Sequence, residues 1–585
     1  MGRVAAPVAA GRSAVVWTIA LLIPAVLILV GLYIVPILRI LPEAFTGSGF
    51  EQYFSTPVYL NVTLTTVRIA LIVAIVTLVV AYPAAWIIST RTGWQRMVLV
   101  IAVIVPFLTS GLVRTFSWLA MLGSNGLISN FLLAVGLTQK PTSFLFTDFA
   151  VVIALVHVSL PLMTFSLVAV MRRIPRQQVD VSEALGSSKL RTMLQVVLPQ
   201  TLPGVTSGLI VVTLFAMASF VAPAILGSRY QTMLAQLIQS TIETGSDRSF
   251  AAVLSIVLAV MAAAVVGAIW GLMWLIRRPR RSSRTSNRSP VASTTGVLTP
   301  VARRGSASAR TERIVWRVLY AIFYVGIVAF SLVPMTILVP IAFTSGNVLV
   351  FPTPGFSTQW FAAVLTPPWV DAALTSLRIS IAAALIAVVV ATLTVLATAR
   401  RPLWARVADQ GMLLPLTIPA VVFAIGAYVT FARLGLVDTE LGLILAQAVL
   451  ALPVCYLIIS AGSNSTDLRL EDAALSLGAS KLRAILTVIV PLMLPALTVA
   501  VLMGVLMSFD ESVASIFLSG LDVTTLPRKL WSGIRFSTSP EVAAAAVGVL
   551  GFGLLMIGLT VVLYAILNRR QRRTILPLTT NSTEE

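Results

Sequence analysis

Two adjacent carboxylates, Asp510 and Glu511, stand inside the apolar run SFDESVASIFLSG, Ser508 to Gly520. A charge at the centre of a bilayer costs about 2.5–3.5 kcal/mol on insertion scales, so acids in such a run face an interior or a cavity. Here they could line a path that favours cations, or form ion pairs, or reach water at a helix end. Two arginines, Arg68 in TLTTVRIA and Arg378 in ALTSLRIS, lie near the ends of other apolar runs. Their long stems allow them to snorkel to the interface, or they could pair with Asp510 or Glu511. If they share a path with the acids, that path is not purely cation-attracting. Other chemistry is sparse. One histidine, His157, inside an apolar segment, makes a His-based metal centre or a nucleophilic triad improbable and reads as a hydrogen-bonded packing residue. The single cysteine, Cys455, cannot form an internal disulfide and reads as a small buried apolar residue. No G-x-x-x-x-G-K-[ST] loop occurs, and Ser188-Lys189 and Ser480-Lys481 lack the glycine framework, so nothing here cradles ATP phosphates in the usual way. No catalytic residue and no metal site is expected.

The elements that carry these residues follow from composition. Of 585 residues, 58% are hydrophobic and 11% charged, against roughly 25% charged in a soluble domain. That excludes an ordinary soluble protein and a disordered one. Apolar runs long enough to span a bilayer lie near 15–40, 62–89, 98–121, 147–171, 198–225 and 250–276, then near 315–343, 372–398, 409–433, 441–462, 488–518 and 542–567. The first is too long for a cleavable signal core and reads as a retained helix. Between the two sets, residues 277–314 are rich in Ser, Thr and Arg without hydrophobic periodicity, the composition of a disordered basic linker. The division expected is therefore 1–276, 277–314, 315–568 and a tail, 569–585.

The net charge of +20 is an orientation signal before it is a sign of nucleic-acid binding. Arg91, Arg96, Arg172, Arg173, Arg176, the linker arginines, Arg400, Arg401, Arg406 and Arg569 to Arg573 fall on one face of a twelve-span chain. The opposite loops hold Glu43, Glu51, Glu243, Asp247, Asp438, Glu440 and Asp522. Both termini and the linker are thus expected to be cytoplasmic, with no nucleic acid as partner.

The loop after the fourth span of each half repeats. DVSEALGSSKLRTMLQVVLPQTLPGV, Asp180 to Val205, aligns without gaps on DAALSLGASKLRAILTVIVPLMLPAL, Asp472 to Leu497. Asp180, Gly186, Lys189 and Arg191 match Asp472, Gly478, Lys481 and Arg483, and Pro199 and Pro203 match Pro491 and Pro495. Arg68 and Arg378 form a second, weaker match. The pattern describes a short surface helix with Asp at its positive end, a glycine permitting a sharp turn or a close approach, and prolines flanking the next span's start. Two agreeing copies in equivalent places outweigh the reading as an ordinary basic loop.

Both loops resemble the signature of ABC importer permeases, Glu-Ala-Ala, three residues, Gly, then a downstream Pro. They depart from it in Asp180 and Asp472 for Glu and Val181-Ser182 for Ala-Ala. The segments PFLTSGLVRTFSWLAMLGSNGLI and SFVAPAILG look like one subunit of the spermidine/putrescine-type permease pair; SFDESVASIFLSG and TLPRKLWSGIR look like the other. The resemblance implies an all-α integral membrane fold, two repeated six-helix type I ABC importer transmembrane domains fused in one chain. It implies a bacterial inner-membrane location and coupling helices built from Asp180, Glu183, Gly186, Lys189, Arg191, Asp472, Gly478, Lys481 and Arg483. Those helices would dock on two copies of a cytoplasmic ABC ATPase subunit carrying ATP and magnesium, with an extracytoplasmic substrate-binding protein on the other face. Polyamine is the leading substrate; opines, ferric iron, thiamine and phosphonates are alternatives. A major-facilitator secondary transporter also has twelve spans and a middle linker, but its acidic loop after the second span is absent from STRTGWQR.

Overall fold

A computed structural model describes residues 12–277 and 306–575, apart from Ser246, Ser465, Thr466 and Leu468. Most of the expected linker and the end of the tail lie outside the described residues. The helix of the seventh span begins at Ser306, inside the segment expected to be linker, and the last helix runs to Ile575, into the expected tail. Helices dominate, with one isolated antiparallel bridge, Thr344 to Phe356, among the described residues. Eleven helices are long and apolar enough to cross a membrane, or twelve if the bent pair Pro402–Leu416 and Ala420–Arg433 is one span.

The expected continuous third span is broken. Trp94–Phe107 ends beside Pro106, and the chain restarts as Gly111–Leu122 after an extended Ser110. In the second half the corresponding break bends the chain by 87°. The runs 198–225 and 488–518 are broken as well: Leu198–Ala218 is followed by Val221–Leu226, and Val490–Phe509 by Ser512–Leu518. Hydropathy is blind to these breaks because both arms of each are apolar. The fifth and eleventh spans also begin earlier than expected, at Leu190 and Lys481. Pro199 and Pro491 therefore lie within continuous helix and do not flank its start. Their missing N–H groups and ring bulk are absorbed by π-helical turns just ahead, Met193–Val197 and Ile485–Ile489.

The fourth and tenth spans, Asp148–Met171 and Glu440–Ser463, are the central helices, each 67% buried over its most apolar window. Small residues let neighbours approach them. A methyl on Gly208 would strike Met163, one on Gly462 would strike Ala496, and Gly504 faces Cys455 and Ala384.

The first span of each half packs on the other half. Tyr33 in the span Val16–Ala44 lies against Phe423, ring centroids 5.4 Å apart, and its hydroxyl donates to the Leu414 carbonyl at 3.3 Å. Gly426 abuts the Pro36 backbone so closely that a Cβ there would lie 2.5 Å from its oxygen. Reciprocally, Tyr324 in the span Arg317–Ala342 donates to the Gln95 carbonyl at 3.2 Å, and Phe330 packs on Trp118. The two halves are thus joined by exchanged arms.

Candidate functional site

Two sites emerge, one on the face bearing the repeated loops and one deep between the halves. On the loop face the short helices are Arg176–Ala184 and Arg469–Ser476. Both end in a glycine in the left-handed region, Gly186 at φ +88° and Gly478 at φ +87°. Gly186 N–H donates to Glu183 O and Ser187 N–H to Ser182 O; Gly478 and Ala479 repeat this with Leu475 and Ala474. This paired ending satisfies the last carbonyls of each helix. A Cβ at either glycine would meet nothing within 4 Å, so the glycines serve the turn and not a close approach.

Asp472 lies in the first turn of its helix, as expected, but Asp180 does not. The first helix starts four residues before Asp180, at Arg176 behind Pro175, so that carboxylate sits mid-helix and gains little from the dipole. The helices are also held differently. Arg400 pairs with both Glu471, at 3.1 Å, and Asp472, at 2.7 Å. In the first half Arg176 donates to the Thr90 carbonyl at 3.0 Å. Asp180, Glu183, Lys481 and Arg483 are exposed, and Arg191 reaches Gln195. Sequence reasoning passed over Leu185 and Leu477, 78% and 89% exposed at matching positions just before the glycines. The signal was their recurrence at the same place in both loops.

The deep site forms where the broken spans meet. Asp510 sits between Phe509 and Ser512, and Glu511 caps the next helix, its Oε1 accepting from Val513 and Ala514 N–H at 2.8 and 3.1 Å. Glu511 therefore takes the helix-end placement foreseen as one alternative. Asp510 faces Ser110, the Gly111 amide and the Arg114 guanidinium across the seam. Arg114, 6% exposed, donates to Pro106 O at 2.7 Å, satisfying a carbonyl beside the break. His157 meets Ser331 O at 3.0 Å, which makes Nε2 the protonated nitrogen, with Trp118 and Phe330 edge-on around its ring. Five buried polar atoms here have no hydrogen-bond partner: Arg114 Nε, Trp118 Nε1, His157 Nδ1, Ser331 Oγ and Asp510 Oδ1. Together they form a buried polar cluster at the seam of the two halves, with hydrogen-bonding capacity left unmet. Arg114 was missed by sequence reasoning, although an arginine within an apolar span is itself a signal. Nearby, Ser508 donates to Gln447 and Gln447 to Ser515.

Arg68 and Arg378 pair with neither Asp510 nor Glu511. Arg68 binds Asp148 at 2.8 Å and Arg378 binds Glu440 at 2.7 Å, both half-exposed, at the starts of the central helices. Those acids are nearer because each lies in the first turn of a helix packed directly on the arginine's own. The halves also meet where Phe220 packs edge-on to Phe517 and Trp531, and where Arg535 binds Glu243 across the seam at 2.7 Å.

A repeated bundle of broken helices with a polar cluster at its seam, and paired exposed helices on one face, is the build of a membrane permease. Residues 386–574 match the family described as binding-protein-dependent transport system inner membrane component. The chain is 31% identical to the spermidine/putrescine transport system permease protein PotB of Escherichia coli over 212 residues, 36% of this chain and 77% of the relative. PotB of Haemophilus influenzae is 28% identical, covering 38% of this chain and 82% of the relative. PotC of Escherichia coli is 28% identical, covering 42% and 93%. The chain belongs to the family of binding-protein-dependent inner-membrane transport components, the permeases of ABC importers. It is a multi-pass inner-membrane protein, and the major-facilitator reading finds no support among these relatives.

Proposed function

We propose that this chain combines two permease subunits and moves polyamines into the cytoplasm. The observation that carries the reading is the cluster of unpartnered polar atoms that includes Asp510, at the seam of the two halves. A polyamine offers several ammonium groups on an apolar stem, which suits a buried carboxylate next to Phe509 with one oxygen unmet. The relatives' names point to the same substrate class. Arg114 tempers the site, so an arriving amine competes with a built-in cation for Asp510. Arg68 and Arg378, each already paired, would flank the entrance without a charge to offer.

The two loop helices dock a pair of separate ATPase subunits, which hold ATP and magnesium; this chain has no phosphate loop and hydrolyses nothing itself. The loop face, the linker and both termini are cytoplasmic, as the arginine distribution favours, and a loaded binding protein meets the far face. Closure of the ATPases draws Leu185 and Leu477 together, and the halves, locked by their exchanged arms, rock as rigid bodies and part the Phe220–Phe517 contact. The test is uptake of radiolabelled putrescine and spermidine by vesicles holding the chain with its ATPase and binding protein. ATP-dependent uptake that falls at least tenfold in Asp510→Asn is expected. Overturning the polyamine reading requires no polyamine uptake while thiamine, a phosphonate, an opine or ferric iron stimulates hydrolysis.

A further inference from the structure

A cleft of about 700 Å³ opens on the loop face between the end of the second span, the first loop helix and the start of the seventh span. It lies at the seam between the halves and shares no lining residue with the polar cluster around Asp510. Its walls carry Arg91 and Arg317 with Trp86, Tyr320 and Phe323, and Glu183 at the loop helix. The guanidinium of Arg91 lies over the Tyr320 ring at 5.0 Å. Arg176, bound to Thr90 O, brings a further guanidinium next to Arg91. Two guanidiniums against one carboxylate in the lining give the mouth a net positive charge, which favours anions.

The floor is apolar and opens sideways: Phe323 and Leu319 are exposed on the membrane-spanning helix. Along the second span, Tyr82 to Arg91 covers about 14 Å at the helical rise. A guanidinium mouth at the interface above an aromatic, laterally open floor matches one ligand shape, a phosphate carried on acyl chains. In the second half Arg400, after the eighth span, is engaged by Glu471 and Asp472.

We propose that this cleft binds one anionic phospholipid from the leaflet on the loop face, its phosphate between Arg91 and Arg317. The lipid would bridge the first half to the exchanged arm of the second, beside the first loop helix. The proposal stands on this cleft alone and is independent of the transported substrate. The experiment is native mass spectrometry of the full chain released from mixed phosphatidylglycerol and phosphatidylcholine. One phosphatidylglycerol is expected to remain bound, about 25-fold more weakly in R91Q/R317Q and about fivefold more weakly in either single variant. The singles carry the test if the double variant does not insert. The control R172Q/R173Q removes equal charge from the same face and should retain the lipid. Equal loss in that control, equal retention of phosphatidylcholine, or displacement by millimolar inorganic phosphate would each overturn the proposal.

Discussion

Replacing Gly186 by alanine isolates what the turn after the first loop helix contributes. The residue sits at φ +88°, and an added Cβ would meet nothing within 4 Å. The cost is therefore backbone strain alone, about 1–2 kcal/mol for an L-residue in the left-handed region. Where that strain is felt depends on the helix. Arg176–Ala184 has no buried residue, so while undocked it can relax by unwinding its last turn. Docking on an ATPase subunit requires the turn to form, and the strain is then charged to binding, weakening it about 5- to 30-fold.

The second helix behaves differently. Glu471 is buried and Arg400 grips both it and Asp472, so the helix stays formed before docking. In Gly478→Ala the strain is present in both states and should lower thermal stability more than docking affinity. Titration of purified ATPase subunit onto the membrane-embedded chain reads this directly. The expected order is Gly186 tightest, Gly186→Asn next, because asparagine tolerates this conformation, then Gly186→Ala, with Gly478→Ala near wild type. Gly186→Ala docking as tightly as wild type, or Asn and Ala losing equally, would refute the reasoning. The double change Gly186→Trp with Gly478→Trp should abolish docking and uptake while sparing membrane insertion.

Gly426→Ala should loosen the exchanged first span, since its Cβ would lie 2.5 Å from Pro36 O and backbone must move. The expected loss is about 1–3 kcal/mol, seen as a lower Tm in detergent, with no loss for Gly558→Ala, where space is open. Arg114→Gln or Asp510→Asn alone leaves the other buried charge without the opposing one. Because the two do not touch, the cost should fall below the about 3–5 kcal/mol of breaking a contacting buried pair. The double variant should regain most of that in a thermal-stability cycle, and simple additivity would show that the two charges do not interact. Asp438, outside the spans, is opposed by desolvation, but backbone N–H groups of Asp522, Val523, Gly520 and Leu521 hold its pKa below the usual carboxylate value. A depressed pKa stabilises the fold above the unfolded value and is lost as pH falls through the folded one. The Tm gap between wild type and Asp438→Asn should therefore be flat from about pH 8 to 5 and close below about pH 4; a gap that widens in acid would reverse the assignment.

Hydropathy made the spans legible because bilayer thickness sets their length, and the loop repeat was legible because the helix, its glycine ending and the following prolines are all local. The breaks at Ser110, Ser219 and Asp510 were not, since a run such as Pro106 to Ile128 is apolar on both sides of its bend. Nor was the exchange of first spans. Tyr33 and Phe423 are nearly 400 positions apart, and nothing local in either records the other. Arg68 and Arg378 could be placed near span ends, but their partners Asp148 and Glu440 belong to a helix two spans away. Asp510 was visible as an oddity; its counter-cation Arg114 stood in the quoted segment and went unread for want of a partner.

The two halves differ at their buried charges and agree in several local contacts. Thr66 and Ser376 each accept the N–H that starts a far-face helix, from Leu234 and Leu526. Phe146 and Asp438 share a positive φ and donate to Leu226 and Leu518 at the same 2.8 Å. The arginine clasps and the glycine endings repeat as well. Counting from those matched positions, Asp510 and Glu511 correspond to Ala218 and Ser219, and Arg114, third after its helix start, corresponds to Phe423. A charged group on both sides of each break would have doubled the cost of burial. Placing the acid on one half and the base on the other lets them neutralise each other only across the seam. In the proposed polyamine cycle, parting the halves would separate Asp510 from Arg114 and leave the carboxylate to an arriving ammonium group.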